Sequence, residues 1–272
     1  MRPLEVGDLL DETFRMYRRH FLLFGGISVI LSIPSAAIFG LALGSFSSAL
    51  QQTNGQVSDL SFVTPVLAGL AAGLVVSVLF LPFSMGAITY AACESALGRP
   101  VTAAGVLSGV MRRYFPLFGY WALFFVSLWV SVIPCGLLLP LWLWGFIGWI
   151  VVTPAMFVEN ISLGTAFSRS WRLVEGRWWR TFLVLFLIAI IWYVAGLALG
   201  AFLGLGRVVL QLFVSPFIAV AISSVTGQIV SAIVNPILQI AVVLIYFDLR
   251  VRKEGLDLFQ MAYQLSPPQA AT

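Results

Sequence analysis

Long runs without a single ionisable side chain constrain this chain more than any other feature. No Asp, Glu, Lys, Arg or His falls in residues 21–44, 63–92, 115–133, 137–158, 181–206 or 208–247. A helix rises about 1.5 Å per residue and the hydrocarbon core of a bilayer is about 30 Å thick, so each run is long enough, or nearly so, to cross it. With 60% hydrophobic and 10% charged residues, the chain cannot cover a water-soluble fold, in which roughly a quarter of residues are charged. Lipid is the expected solvent, and the expected fold is an all-α integral membrane protein forming one polytopic domain with six transmembrane helices. The run 208–247 would be about 60 Å long as one helix, too long for one crossing. We divide it near Ser223–Ser224. Its first piece, with Arg207, Gln211 and Ser215 at four-residue steps, then lies along the outer surface or re-enters, and 225–247 is span six. Pro34 should kink span one without ending it, because neighbouring helices can satisfy the freed carbonyl.

Between the runs the sequence repeats itself. Arg18-Arg19-His20-Phe21-Leu22-Leu23-Phe24-Gly25 recurs as Arg112-Arg113-Tyr114-Phe115-Pro116-Leu117-Phe118-Gly119, with six of eight residues identical. A looser third copy matches Trp171-Arg172-Leu173 to Phe14-Arg15-Met16 and enters its apolar run after Arg180. The pattern reads as one unit used three times, over about 1–98, 99–160 and 161–258, with a short tail 259–272. Each unit is an amphipathic helix on the membrane surface followed by a hairpin of two spans. The apolar side of the first such helix is Leu10, Phe14, Tyr17 and Phe21, bordered by Leu9. That of the second is Ala103, Leu107, Val110 and Tyr114; that of the third is Phe167, Trp171, Val174 and Trp178. The polar stretch Gln51–Gln56 and the turn Pro134-Cys135-Gly136 join spans within hairpins.

Six spans with the N-terminus inside put fourteen of the fifteen Lys and Arg residues on one side, leaving Arg207 opposite. The positive-inside bias then places both termini in the cytoplasm, as in a bacterial inner membrane. The first apolar run starts only at Phe21 and is longer than a signal-peptide core, so no cleavage is expected. Cys93 and Cys135 fall near opposite ends of their spans, about 30 Å apart, beyond the reach of a disulfide.

The functional residues follow from what the spans contain and lack. Proton-coupled pumps need intramembrane ionisable groups, and none is present, whereas facilitated movement of an amphiphile stays open. The one histidine, His20, is replaced by Tyr114 in the repeat, which suits an interfacial anchor better than a catalytic base. One His and two distant Cys offer no metal site of those ligands. The expectation is therefore a protein that is not an enzyme and takes no cofactor. Small-residue rows, Gly40-Leu41-Ala42-Leu43-Gly44, its identical copy Gly196–Gly200, and Gly69, Gly73 and Ser77, should pack helices within the bundle or pair two copies of the chain. Span six carries a polar stripe, Ser224, Gln228, Ser231, Asn235 and Gln239, at steps of four, three, four and four. Amides are costly against acyl chains, so the stripe faces the interior, either to bond neighbouring helices or to line a path for a polar headgroup. Ser28, Ser32 and Ser35 of span one could face it. At the inner ends of the even-numbered spans stand Glu94, Glu159 and Asp248, near Arg99, Arg169, and Arg250 with Arg252. These form ion pairs or part of a basic rim that holds anionic lipid headgroups: Arg112, Arg113, Arg169, Arg172, Arg177, Arg180, Arg250, Arg252 and Lys253.

The segment Ile245-Tyr246-Phe247-Asp248-Leu249-Arg250-Val251-Arg252-Lys253-Glu254-Gly255-Leu256-Asp257-Leu258 resembles the closing motif of the bacterial glycerophosphodiester phosphodiesterase membrane-domain family. Ser170-Trp171-Arg172-Leu173-Val174-Glu175-Gly176-Arg177-Trp178-Trp179-Arg180 is similar to that family's middle motif, and Val6-Gly7-Asp8-Leu9-Leu10-Asp11 fits its opening. The resemblance implies a polytopic membrane protein, often standing alone without the catalytic barrel, whose histidines and acidic metal ligands have no room here. The functional expectation is a non-catalytic membrane protein that engages anionic lipids, or a membrane partner, at its basic cytoplasmic rim. The alternative is a carrier or flippase for a lipid-like amphiphile that uses the polar stripe. Expected partners are membrane lipids, with a membrane protein or a second copy of the chain as further candidates, and no nucleic acid.

Overall fold

The computed structural model describes residues 5–52, 63–134 and 136–265. Among these the chain is helical and has no strand: α1 (Val6–Arg19), α2 (Phe21–Gln52), α3 (Val63–Ala96), α4 (Ala103–Met111), α5 (Tyr114–Val132), α6 (Leu139–Gly148), α7 (Val152–Val158), α8 (Leu163–Val174), α9 (Trp178–Leu210) and α10 (Pro216–Leu265). Six stretches are long and apolar enough to cross a membrane: Phe21–Ser47, Val66–Ala96, Tyr114–Val132, Leu139–Val158, Trp178–Leu210 and Phe217–Gly255. Large apolar side chains stand outward, with Leu22, Phe115 and Phe213 all about four-fifths exposed. That surface suits lipid and would aggregate in water. From Thr53 the expected loop lies outside the described residues, as do Cys135 and the tail from Ser266.

Helix α10 is the axle of the bundle, touching α1, α2, α3, α7, α8 and α9. Its most apolar stretch is 67% buried, against 11% for α9, which stands at the periphery. The division expected near Ser223–Ser224 is not there. Helix α9 runs to Leu210 and the break falls at Gln211–Ser215, before one continuous helix from Pro216. Pro216 explains the start, since a fixed φ and a missing N–H suit a first helical turn. Ser223 and Ser224 stay helical by donating to Ala219 O at 2.5 Å and Val220 O at 2.8 Å. No separate surface or re-entrant segment precedes span six.

Span four is broken. Helix α6 ends at Gly148 and α7 starts at Val152, because Pro154 cannot donate to the Ile150 carbonyl four residues back. Residues 150–156 are buried throughout, so the loosened backbone needs partners inside the protein. Ser170 Oγ donates to Gly148 O at 2.7 Å, and Tyr120 Oη lies 3.5 Å from Trp149 O. The same device recurs at the unbroken spans. Tyr17 Oη donates to Ile233 O at 2.5 Å, three residues before Pro236, and Tyr114 Oη to Leu79 O at 3.0 Å, three residues before Pro82. Both carbonyls adjoin the one that a proline leaves without an amide donor.

Those bonds show what the short helices touch. Helix α1 packs on α10, α4 on α3, and α8 on α7 and α10. Their buried faces share Tyr17, the bordering Leu9, Val110 and Val174 with the expected apolar sides and depart from them elsewhere. Helix α1 buries Leu9, Thr13, Met16 and Tyr17, α4 buries Val106 and Val110, and α8 buries Ala166, Ser170, Leu173 and Val174. Leu10, Phe14, Phe167, Trp171 and Trp178 are only partly buried, and Ala103, Leu107 and Phe21 are exposed. Close helix contact favours small side chains, and the hydroxyls of Thr13 and Ser170 are satisfied by Leu9 O and Gly148 O. Leu9, Met16, Tyr17 and Leu173 fill the contacts beside them, and Trp171 lies against Gly148 of α6.

Two glycines show how closely the spans approach. A Cβ on Gly44 would lie 3.0 Å from Phe217 O and a Cβ on Gly69 3.0 Å from the Ala42 Cβ, so α2 seats against α10 and α3 through this row. The identical pentapeptide in α9 does nothing of the kind, since Gly196 and Gly200 have no neighbour within 4 Å of a Cβ. Gly44→Val should therefore destabilise the bundle by about 1–3 kcal/mol through overpacking. Gly200→Val should be neutral or better, as helix propensity favours it. Thermal unfolding of the detergent-purified protein checks both.

Candidate functional site

The polar stripe of α10 divides in two. Gln239 is buried in helix contacts, where Thr89 shares its hydroxyl between Met85 O at 2.8 Å and Gln239 Oε1 at 3.2 Å. The other members border open space. An open pocket of about 200 Å³ between α2, α3 and α10 is lined by Gln228, the exposed Ser231 and Asn235 together with Ser28, Ser32 and Ser35 of α2. Ser77 and Ser84 of α3 complete its polar lining. Four-residue spacing marks Ser77 only as part of a packing row with Gly69 and Gly73, and Ser84 not at all.

A second cavity of about 900 Å³ lies between α2, α9 and α10 and shares Gln228 and Ser231 with the first. Its walls are mostly apolar, including Phe39, Leu43, Tyr193, Leu197 and Leu203, with Gly196 and Gly200 giving it depth. Trp192 closes the junction by donating from Nε1 to Asn235 Oδ1 at 3.2 Å. One helix thus presents hydrogen-bonding groups to two pockets, a serine-rich one that Leu31, Phe80, Leu81 and Met85 also line and a larger one with mostly apolar walls.

At the inner ends of the spans, the acids and cations are joined. Asp248 has no exposed side-chain surface and accepts from Arg180 at 2.5 Å and Arg252 at 2.9 Å. Glu159 accepts from Arg169 Nε at 2.9 Å and from Tyr246 Oη at 2.8 Å. Arg169 also binds Glu254, which Arg250 meets at 2.8 Å. Burial works against the Arg169 charge, yet the hydrogen bonds it donates to Glu254 and Glu159 outweigh it and hold its pKa above the ordinary value. Glu94 pairs with Arg99 at 3.1 Å. The sequence showed the local pairs Glu94–Arg99, Glu159–Arg169 and Asp248–Arg252. It missed those between distant helices, for which no spacing rule exists.

Of the nine rim cations, Arg169, Arg180, Arg250 and Arg252 are held in ion pairs. Arg113 donates to Ile161 O at 2.6 Å and to Asn160, and Lys253 to the carbonyl of Arg172. Among the described residues the side chains of Arg112, Arg172 and Arg177 make no ion pair. No group of three or more His, Cys, Asp or Glu comes together there as a metal would need.

Comparisons with protein-family models, with curated proteins and with solved structures give no match. The family resemblance therefore rests on the quoted residues alone.

Removing one partner of a buried pair strands the other charge, at about 3–5 kcal/mol. Asp248→Asn should accordingly lower the unfolding temperature markedly, whereas Glu12→Gln, at the exposed Arg15–Glu12 pair, should change it little. Unfolding of the two variants side by side in detergent is the measurement.

Proposed function

We propose that the protein binds a lipid-like amphiphile inside the bundle and carries it between leaflets. The polar stripe of α10 carries this reading, because four of its members border two neighbouring pockets, one serine-rich and one mostly apolar, instead of lying wholly in helix contacts. The larger apolar chamber suits an acyl chain and the serine-lined one a headgroup, with Gln228 and Ser231 at the junction. A scaffold would have no use for a half-packed central helix, since each cavity forfeits contacts that stabilise the fold.

Orientation belongs to the same proposal: three units, each a short interfacial helix and a hairpin, with both termini cytoplasmic in a bacterial inner membrane. The cation distribution supports it. So does the order of elements, a short helix breaking into a long apolar one at His20, at Arg112–Arg113 and at Glu175–Arg177. Membership of the glycerophosphodiester phosphodiesterase membrane-domain family is likewise proposed. Two of the three segments carrying that resemblance meet through Arg180–Asp248 and Lys253–Arg172. A second role at the inner rim, holding anionic headgroups, is supported by Arg112, Arg172 and Arg177, whose side chains make no ion pair among the described residues.

In proteoliposomes the wild type should expose a tail-labelled lipid of the inner leaflet to an impermeant quencher. Gln228→Leu with Asn235→Leu should slow this at least tenfold while the protein stays folded. Replacing Arg112, Arg172 and Arg177 by Gln should leave movement intact and reduce co-purified anionic lipid. Equal rates in the stripe variant and wild type would remove the carrier reading. In intact cells, an impermeant maleimide should label a cysteine at Asn54 and miss one at Ser266, in a background without Cys93 and Cys135.

A further inference from the structure

The reading above leaves the headgroup undefined, and the inference that follows rests on that reading. We infer that the serine-lined chamber takes an uncharged headgroup bearing hydroxyl groups, as a polyol or sugar lipid presents. Three observations carry it.

The first is a polar group without a partner. Ser28 is 3% exposed, lines the chamber and makes no hydrogen bond among the described residues. Its hydroxyl is free to bond water or a ligand that enters the pocket. Ser77 and Ser84 across the chamber are likewise uncommitted.

The second is the kind of bond on offer. Ser32, Ser35 and Ser231 spend their protons on Val29 O, Ser32 O and Gly227 O, at 2.8, 2.9 and 2.9 Å. They therefore show the chamber only acceptor lone pairs. Asn235 is the reverse. Trp192 Nε1 can only donate, which fixes Asn235 Oδ1 toward it and leaves the amide N–H groups to donate. Gln228 offers both. A phosphate could accept from Ser28, Ser77, Ser84, Gln228 and Asn235 but has no proton for the oxygens of Ser32, Ser35 and Ser231; a trimethylammonium neither donates nor accepts. A hydroxyl does both.

The third is the absence of a compensating charge. No ionisable residue lines the chamber. Along α10, Asp248 lies 13 residues beyond Asn235, about 20 Å; along α3, Glu94 lies ten beyond Ser84, about 15 Å; along α2, Ser28 stands eight beyond His20, about 12 Å. Arg18 and Arg19, at the end of α1, are exposed. An unpaired anion at such a depth bears a desolvation cost that no hydroxyl lining offsets.

The test uses the full chain in phosphatidylcholine proteoliposomes with one of two tail-labelled probes, monoglucosyl-diacylglycerol or phosphatidylglycerol, and reads probe retained by native mass spectrometry and probe moved by quenching. The glucolipid should be retained and moved about tenfold better than phosphatidylglycerol. Ser77→Ala with Ser84→Ala makes no change to the internal hydrogen bonds of the protein. It should reduce glucolipid retention about tenfold, the loss of two ordinary hydrogen bonds, without changing the unfolding temperature. Equal or better handling of phosphatidylglycerol overturns the headgroup class while the amphiphile reading stands. Glucolipid retention unmoved by the serine pair overturns the assignment of the chamber. No retention of either probe by the wild type means that only water occupies it, and then both readings fall.

Discussion

Hydrocarbon supplies no hydrogen bonds, and that constraint governs how this chain is put together. Prolines inside α2, α3 and α10, and the break before α7, each loosen a ladder that water cannot repair. The repairs come from elsewhere in the sequence. Tyr17 of α1 reaches the backbone of α10, Tyr114 that of α3, and Ser170 of α8 the end of α6. Two of these donors lie on the short helices and the third at the first residue of α5, so the segments that enter the spans also seal them. A carboxylate is harder to satisfy than a carbonyl. Asp248, fully enclosed at the inner end of α10, draws in Arg180 from α9 and Arg252 from its own helix.

Helix α10 therefore leads two lives. From about Pro236 to Leu249 nearly every residue is buried, and the ionic knot fixes that half against α7, α8 and α9. Toward Pro216 it touches α2 closely through Gly40 and Gly44, but α9 stands away, and the two chambers open there. One end is locked and the other leaves space. That arrangement is what a moving ligand requires, because the walls around it can shift without unfolding the knot.

The number of spans and most of their bounds were legible because charge-free runs of this length have one physical solution. The contact faces of α1, α4 and α8 were legible only in part. Periodicity finds Tyr17, Val110 and Val174, which are buried, but also chooses the partly buried or exposed Phe14, Leu107 and Trp171 and passes over Thr13, Val106 and Ser170. The break within 208–247 was misplaced. Paired serines look like a helix end in water, yet in a helix each can bond back to a carbonyl, and Pro216 was the stronger signal. Of the candidate site, the stripe and the serines of α2 were readable from four-residue spacing. Ser77 and Ser84, and the pairing of Arg180 with Asp248, depend on which helices become neighbours, and no local pattern encodes that.

The unequal lengths of the spans reach beyond the protein. Helix α5 has 19 residues, about 28 Å, while α3 has 34 and α9 has 33, about 50 Å each. Lipids beside α5 meet a hydrophobic wall barely as tall as their own chains, and lipids beside α9 meet one that overshoots unless the helix leans. Either the long helices lean or the bilayer changes thickness around the circumference of a single molecule, at a modest cost per ångström of mismatch. In the second case such a molecule is an intrinsic step in the membrane. It would gather where thick and thin domains adjoin, and the lipid nearest its short flank would be the most strained.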